Sequence, residues 1–155
     1  MKYLIRYDIL WDVVIRRVVL DTSVVVAALR TRTGAGNAVL RLAAAKRIKA
    51  LVSPPLFMEY EAVLKRPEQQ LVHGFDLLEI DEFLAEFAAL VEPVEVHFRW
   101  RPQVRDPADE MVFEVAVNGN ADALVTYNVA DFAAAAAQFN VRVMRPSEIL
   151  REVKR

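Results

Sequence analysis

The chain has 155 residues, 55% of them apolar, which is enough for one domain with a full core. Its 20 basic and 21 acidic residues nearly cancel, so no global basic field advertises nucleic acid, and a polyanion would have to be met by a local patch. The absence of cysteine excludes disulfides, thiolate nucleophiles and Cys-type zinc sites, and the two histidines, His73 and His97, are not spaced as zinc-hydrolase ligands.

Residues 1–17 form an N-terminal extension ahead of the first clear α/β unit at 18–155, and the sequence leaves open whether it is helix or strand. The run over 3–20 is apolar, but Arg6, Asp8, Asp12, Arg16 and Arg17 interrupt it well short of the ~20 apolar residues a membrane span needs. It also lacks the order of charge, apolar run and small residues that marks a cleavable signal. The expectation is a soluble cytoplasmic protein with no membrane partner.

From there the chain alternates strands and helices. VVLDTSVVVAAL predicts a buried strand over 18–20, a turn at Asp21 and Thr22, and a helix over 24–29. A loop over 31–37 leads to an amphipathic helix over 38–49 and a short strand over 50–53. Ser53-Pro54-Pro55 is a helix start, a cap followed by proline in the first turn, and Pro67 ends that helix. A further helix is predicted over 77–90 and a strand over 94–98. Asp106-Pro107 opens a helix that Gly119 closes. A strand over 123–126, a helix over 131–138, a strand over 141–144 and a last helix over 146–153 complete the chain. This alternation predicts a mostly parallel sheet with helices on both faces.

Acidic residues stand where these elements hand over. Asp21 follows the first strand, at the carboxyl end where doubly wound sheets bind ligands, although capping alone could explain it. Glu59 and Glu61 flank the apolar stripe of the 53–65 helix at similar angles, and the helical wheel does not choose between them. Asp106 and Asp109 bracket Pro107 in the pattern of an N-cap and an acidic N3 residue, and Asn128 and Asp131 repeat that spacing after the strand ending at Thr126. Two such pairs plus Asp21, all at junctions, point to one shared site. Carboxylates gathered at a sheet edge repel one another unless a divalent cation neutralises them. Magnesium and manganese prefer such hard oxygen ligands, and two ions ~4 Å apart can activate water and stabilise the leaving oxygen of a phosphodiester.

These pieces together resemble a PIN-domain nuclease, of the kind that forms the VapC-like toxin half of VapBC-type toxin–antitoxin pairs. The matching segments are VVLDTSVVVAAL, SPPLFMEYEAVL, RDPADEMVFEVAVNGNADALVTYNVADF and VRVMRPSEIL, in that order over residues 18–150. The resemblance implies a three-layer α/β/α sandwich around a mostly parallel sheet. It also implies a metal-dependent endoribonuclease, with Asp21, Glu59, Asp109 and Asp131 as ligands of Mg²⁺ or Mn²⁺ and Asn128 completing the catalytic set. The match settles Glu59 over Glu61 by analogy, and counting back seven residues from Ala116 selects Asp109 over Asp106. Where many members carry aspartate after the strand-end threonine, this chain has Asn128, which brings no charge, and Asp131 follows three residues later. Thr22 and Thr126 are candidates to hydrogen-bond a carboxylate or phosphate, and Arg30 and Arg32 to grip the RNA backbone. An RNA substrate, a cognate antitoxin and a homodimer are the implied partners. The alternative is a degenerate PIN-type module that binds RNA or protein without cutting. A phosphatase of the haloacid dehalogenase type would need an aspartate at position 23, which is Ser23, and a receiver domain would need a lysine after Thr126.

Overall fold

The computed structural model describes residues 15–99 and 101–153. The N-terminal extension therefore lies almost wholly outside the described residues. Among the described residues five strands form one sheet: β1 (Arg17–Leu20), β2 (Lys49–Val52), β3 (Val91–Pro93), β4 (Ala123–Val125) and β5 (Val143–Met144). Their order is β3-β2-β1-β4-β5 and every pairing is parallel. Val18, Val19 and Leu20 are fully buried, as are Ala123, Leu124 and Val125 beside them. A central strand of a parallel sheet is covered on both faces, which is why these segments read as unbroken apolar runs.

Among the described residues eight helices complete the three-layer α/β/α sandwich: α1 (Thr22–Arg30), α2 (Ala35–Ala44), α3 (Pro54–Leu64), α4 (Pro67–His73), α5 (Leu77–Leu90), α6 (Pro107–Asn118), α7 (Val129–Phe139) and α8 (Pro146–Val153). Their starts follow local chemistry. Ser53 Oγ accepts the Leu56 N–H at 3.3 Å ahead of the two prolines of α3, and Asp106 Oδ1 accepts the Ala108 N–H at 2.9 Å ahead of Pro107. None of the described helices is long and apolar enough to cross a membrane.

Three expectations need correction. Pro67 does not merely end α3; it occupies the first turn of α4, where its missing N–H costs nothing, and Gly74 closes that helix at φ 77°. The helix expected over 38–49 begins earlier and stops at Ala44, because Lys46 turns left-handed at φ 59° and releases the chain into β2. The strand expected over 94–98 lies at Val91–Pro93 instead. Beyond Val94 the backbone turns to Asn118, whose Oδ1 accepts the N–H groups of His97 and Phe98 at 3.0 and 2.9 Å and whose Nδ2 donates to the Phe98 carbonyl at 3.0 Å. One amide side chain thus takes the place of a neighbouring strand.

The strand order changes direction between β1 and β4, so the carboxyl ends of those two strands border the crevice where ligands of open α/β sheets bind. Leu20 pairs with Val125 at the end of that ladder.

Candidate active site

Asp21 is the first residue past β1. Its N–H donates to the Val125 carbonyl at 2.9 Å, continuing the sheet ladder by one step, and it is 4% exposed. Its Oδ2 accepts two hydroxyl hydrogen bonds, from Ser23 at 2.8 Å and from Thr126 at 2.7 Å. Thr126, fully buried, also accepts the Asn128 N–H at 2.9 Å through the same oxygen. The threonine therefore locks the end of β4 and one oxygen of Asp21 together. Asp21 Oδ1 has no hydrogen-bond partner among the described residues and is not sealed from solvent. A buried carboxylate with one oxygen fixed and the other open is what a cation ligand requires.

Asp109 approaches from the first turn of α6. Its carboxyl group is pushed up from 3.8 to about 7, first by burial and then by the charges of Asp21, Asp106, Asp131 and Glu110. Charges from three separate junctions thus lie close enough to act on Asp109. Asp131 belongs to this set from the first turn of α7, whose N-cap is Asn128; Asn128 is exposed and makes no side-chain capping bond.

Glu59 stands next to Tyr60 on α3. The buried Tyr60 hydroxyl donates to the Leu20 carbonyl, and its pKa is raised by burial and by the charge of Asp21, which brings this turn of α3 to the end of β1. Glu59 is half-buried and has no ion pair or hydrogen bond among the described residues, but it is not among the charges that act on Asp109. Glu61 instead pairs with Lys65 at 3.2 Å, and Lys65 also reaches Asp81 of α5 at 2.6 Å.

The remaining acids of α6 do other work. Glu110, 4% exposed, accepts the N–H groups of Gln103 and Val104 at 2.6 and 3.2 Å, and Glu114 holds Arg101 through both of its oxygens. They bind the preceding segment to the helix. Thr22 makes no side-chain hydrogen bond among the described residues. Ser23, the second hydroxyl that the sequence sets beside Asp21, makes the contact instead. Arg30 donates to Gln69 at 2.9 Å and Arg32 is exposed. Arg30 is the last residue of α1 and Arg32 lies just beyond it, so Arg30 stands roughly 13 Å along the helix axis from Asp21 at 1.5 Å per residue.

Among the described residues, no three acids, histidines or cysteines form a ready-made metal cage. The donor chemistry nonetheless fits a hard dication that keeps several waters and needs only one or two carboxylates, and the raised Asp109 is the mark of acids lacking a counter-charge.

That raised group sets a pH dependence for the metal-free protein. Its folded value, about 7, lies above its unfolded value of 3.8, so its favourable contribution is intact below pH 3.8 and is lost as pH rises through 7. Asp109→Asn removes the ionisation. In chelator, the melting temperature of the variant relative to the parent should therefore climb between pH 4 and pH 8. The gain at pH 8 should be roughly 2–4 °C, the shift expected of ~1 kcal/mol once solvent screening is discounted. A difference that stays flat with pH would show that Asp109 ionises normally.

Among curated proteins, none matches this chain in sequence. The fold is similar to that of a solved structure, VapBC2 from Rickettsia felis bound to a DNA fragment from their promoter. The TM-score is 0.56 at 18% identity, over 83% of this chain and 98% of that one. The family model described as PIN domain matches residues 17–130, a span that opens with β1 and closes one residue short of Asp131. On that match over most of its length, the chain belongs to the PIN-domain family.

Proposed function

We propose that the protein is a Mg²⁺- or Mn²⁺-dependent endoribonuclease, the toxin of a type II toxin–antitoxin pair, acting as a homodimer and restrained by a cognate antitoxin. PIN domains are generally nucleases that use divalent ions, and the similar Rickettsia felis structure is a VapBC complex. The observation that supports the reading is the buried Asp21 carboxylate at the β1–β4 switch point, held through one oxygen by Ser23 and Thr126, with Asp109 near enough to feel its charge.

In this reading Asp21 and Asp109 hold the ion, with Glu59 and Asp131 completing its surroundings. Once bound, the ion supplies charge neutralisation at the phosphodiester and a water acidic enough to attack near neutral pH. The chain's own contribution is placement. Thr126 and Ser23 hold Asp21 through Oδ2 and leave Oδ1 to a ligand. Asn128, at the N-cap of α7, offers an amide to orient water or a phosphate oxygen. Arg30 and Arg32, so far from Asp21, would meet RNA away from the scissile bond.

The test is cleavage of a mixed RNA pool with Mg²⁺, with Mn²⁺ and with chelator. Cleavage that disappears in chelator and returns on adding either ion is expected. Asn128, uncharged where a carboxylate could stand, favours a second reading, a module that binds RNA without cutting it. Tight RNA binding with no cleavage under either ion would establish that reading in place of the first.

A further inference from the structure

We propose that Tyr127 is a stacking shelf for an unpaired base of the substrate beside the acid pocket; this rests on the nuclease reading above. Tyr127 lies between Thr126, whose hydroxyl holds Asp21, and Asn128, whose N–H returns to that hydroxyl. Its backbone is fixed from both sides. Yet the side chain is 38% exposed, and among the described residues it has neither a ring partner nor a hydrogen bond.

Its placement over the first helices reinforces this. A Cβ built at Gly36 of α2 would stand 3.3 Å from the Tyr127 hydroxyl, and 3.0 and 3.2 Å from the Val24 carbonyl oxygen and the Ala28 nitrogen of α1. The tyrosine thus reaches from the end of β4 to the crossing of α1 and α2, along the margin of the crevice that Asp21 opens. Glycine at 36 leaves room for it. A rigid aromatic surface next to the reacting site binds with little ordering cost.

The charge distribution favours such a shelf. Residues 18–29, 50–64 and 106–141 supply every candidate acid and contain no lysine or arginine. Arg30, the nearest cation on α1, is engaged by Gln69. Within these segments nothing neutralises a phosphate backbone, and cations stand only at their margins, Arg105, Arg142 and Arg145 among them. Stacking on an aromatic face is independent of net charge and tolerant of sequence, and it requires a base freed from a duplex.

The test uses a short fluorescein-labelled single-stranded RNA and its duplex form, with the parent and Tyr127→Leu, Tyr127→Phe and Tyr127→Trp. Binding is measured by anisotropy in chelator, and kcat and KM with Mn²⁺. The leucine variant should weaken single-strand binding and raise KM by roughly five- to a hundred-fold. Its kcat and melting temperature should stay close to the parent's, and the aromatic variants should restore binding. Weak duplex binding and a shallow salt dependence are also expected. If the parent cleaves RNA and the leucine variant matches it in Kd and KM, the shelf is refuted and the nuclease reading stands. If the parent binds only through Tyr127 and never cleaves, the nuclease reading falls and the shelf remains as a binding site. A parent that neither binds nor cleaves single-stranded RNA overturns both.

Discussion

Asp21→Asn is expected to lower RNA cleavage on the order of a thousand-fold, about 4 kcal/mol of transition-state stabilisation, without unfolding the protein. The amide keeps the shape of the carboxylate, and the Ser23 and Thr126 hydroxyls can rotate to accept from it where they now donate. What is lost is one charge at a position 4% exposed, on the carboxylate that Ser23 and Thr126 hold in place. Because that charge is among those raising Asp109, the metal-free variant should be at least as stable as the parent at pH 8. Kinetics and melting curves on the same preparation check both halves. A variant that cleaves at the parental rate would remove Asp21 from the chemistry, and one that melts far below the parent would mean the fold needs the charge.

Phe87→Ala should cost about 3–5 kcal/mol of stability, the largest loss expected from any single truncation here. Phe87 is 1% exposed on α5. It stacks on Phe83 and Phe57 at centroid distances of 5.8 and 6.4 Å and meets Tyr60 at 6.0 Å with planes tilted 55°. Each such ring pair adds ~0.5–1.5 kcal/mol to the area buried, and the cavity left by alanine would be walled by rigid rings that cannot collapse into it. Since a domain of this kind is stable by only ~5–15 kcal/mol, the variant should lose roughly 10 °C or more in melting temperature. The loss should reach the site as well, because Tyr60 carries the hydrogen bond that seats α3 on the end of β1. Chemical denaturation giving a loss below ~1 kcal/mol would show that this cluster is not what holds α5 in place.

The sequence was most legible where a single local signal decides. The apolar run before Asp21 is a fully buried strand, and the Ser53-Pro54-Pro55 and Asp106-Pro107 starts are capped helices. It was least legible where a distant side chain substitutes for secondary structure. The alternating Val94, Val96 and Phe98 look like a strand, but Asn118, 20 residues from Phe98, takes up that backbone, and no pattern within the segment announces it. Pro67 was ambiguous for a different reason, since proline both stops one helix and suits the first turn of the next. At the site, strand-to-helix position pointed to the acids, and the charges of Asp21 and Asp131 both act on Asp109. It could not reveal that Glu110 and Glu114 turn to a neighbouring segment, because a helix start rich in acid reads the same whichever way its side chains face.

The hydroxyl that steadies Asp21 comes from a residue 105 positions further along the chain. Every pairing that delivers it is parallel, and each requires a crossover before two strands can meet. A ribosome that has made the first hundred residues has therefore made no working pocket, however well the early helices have formed. For an enzyme that would attack RNA, such an architecture delays competence until translation is nearly done.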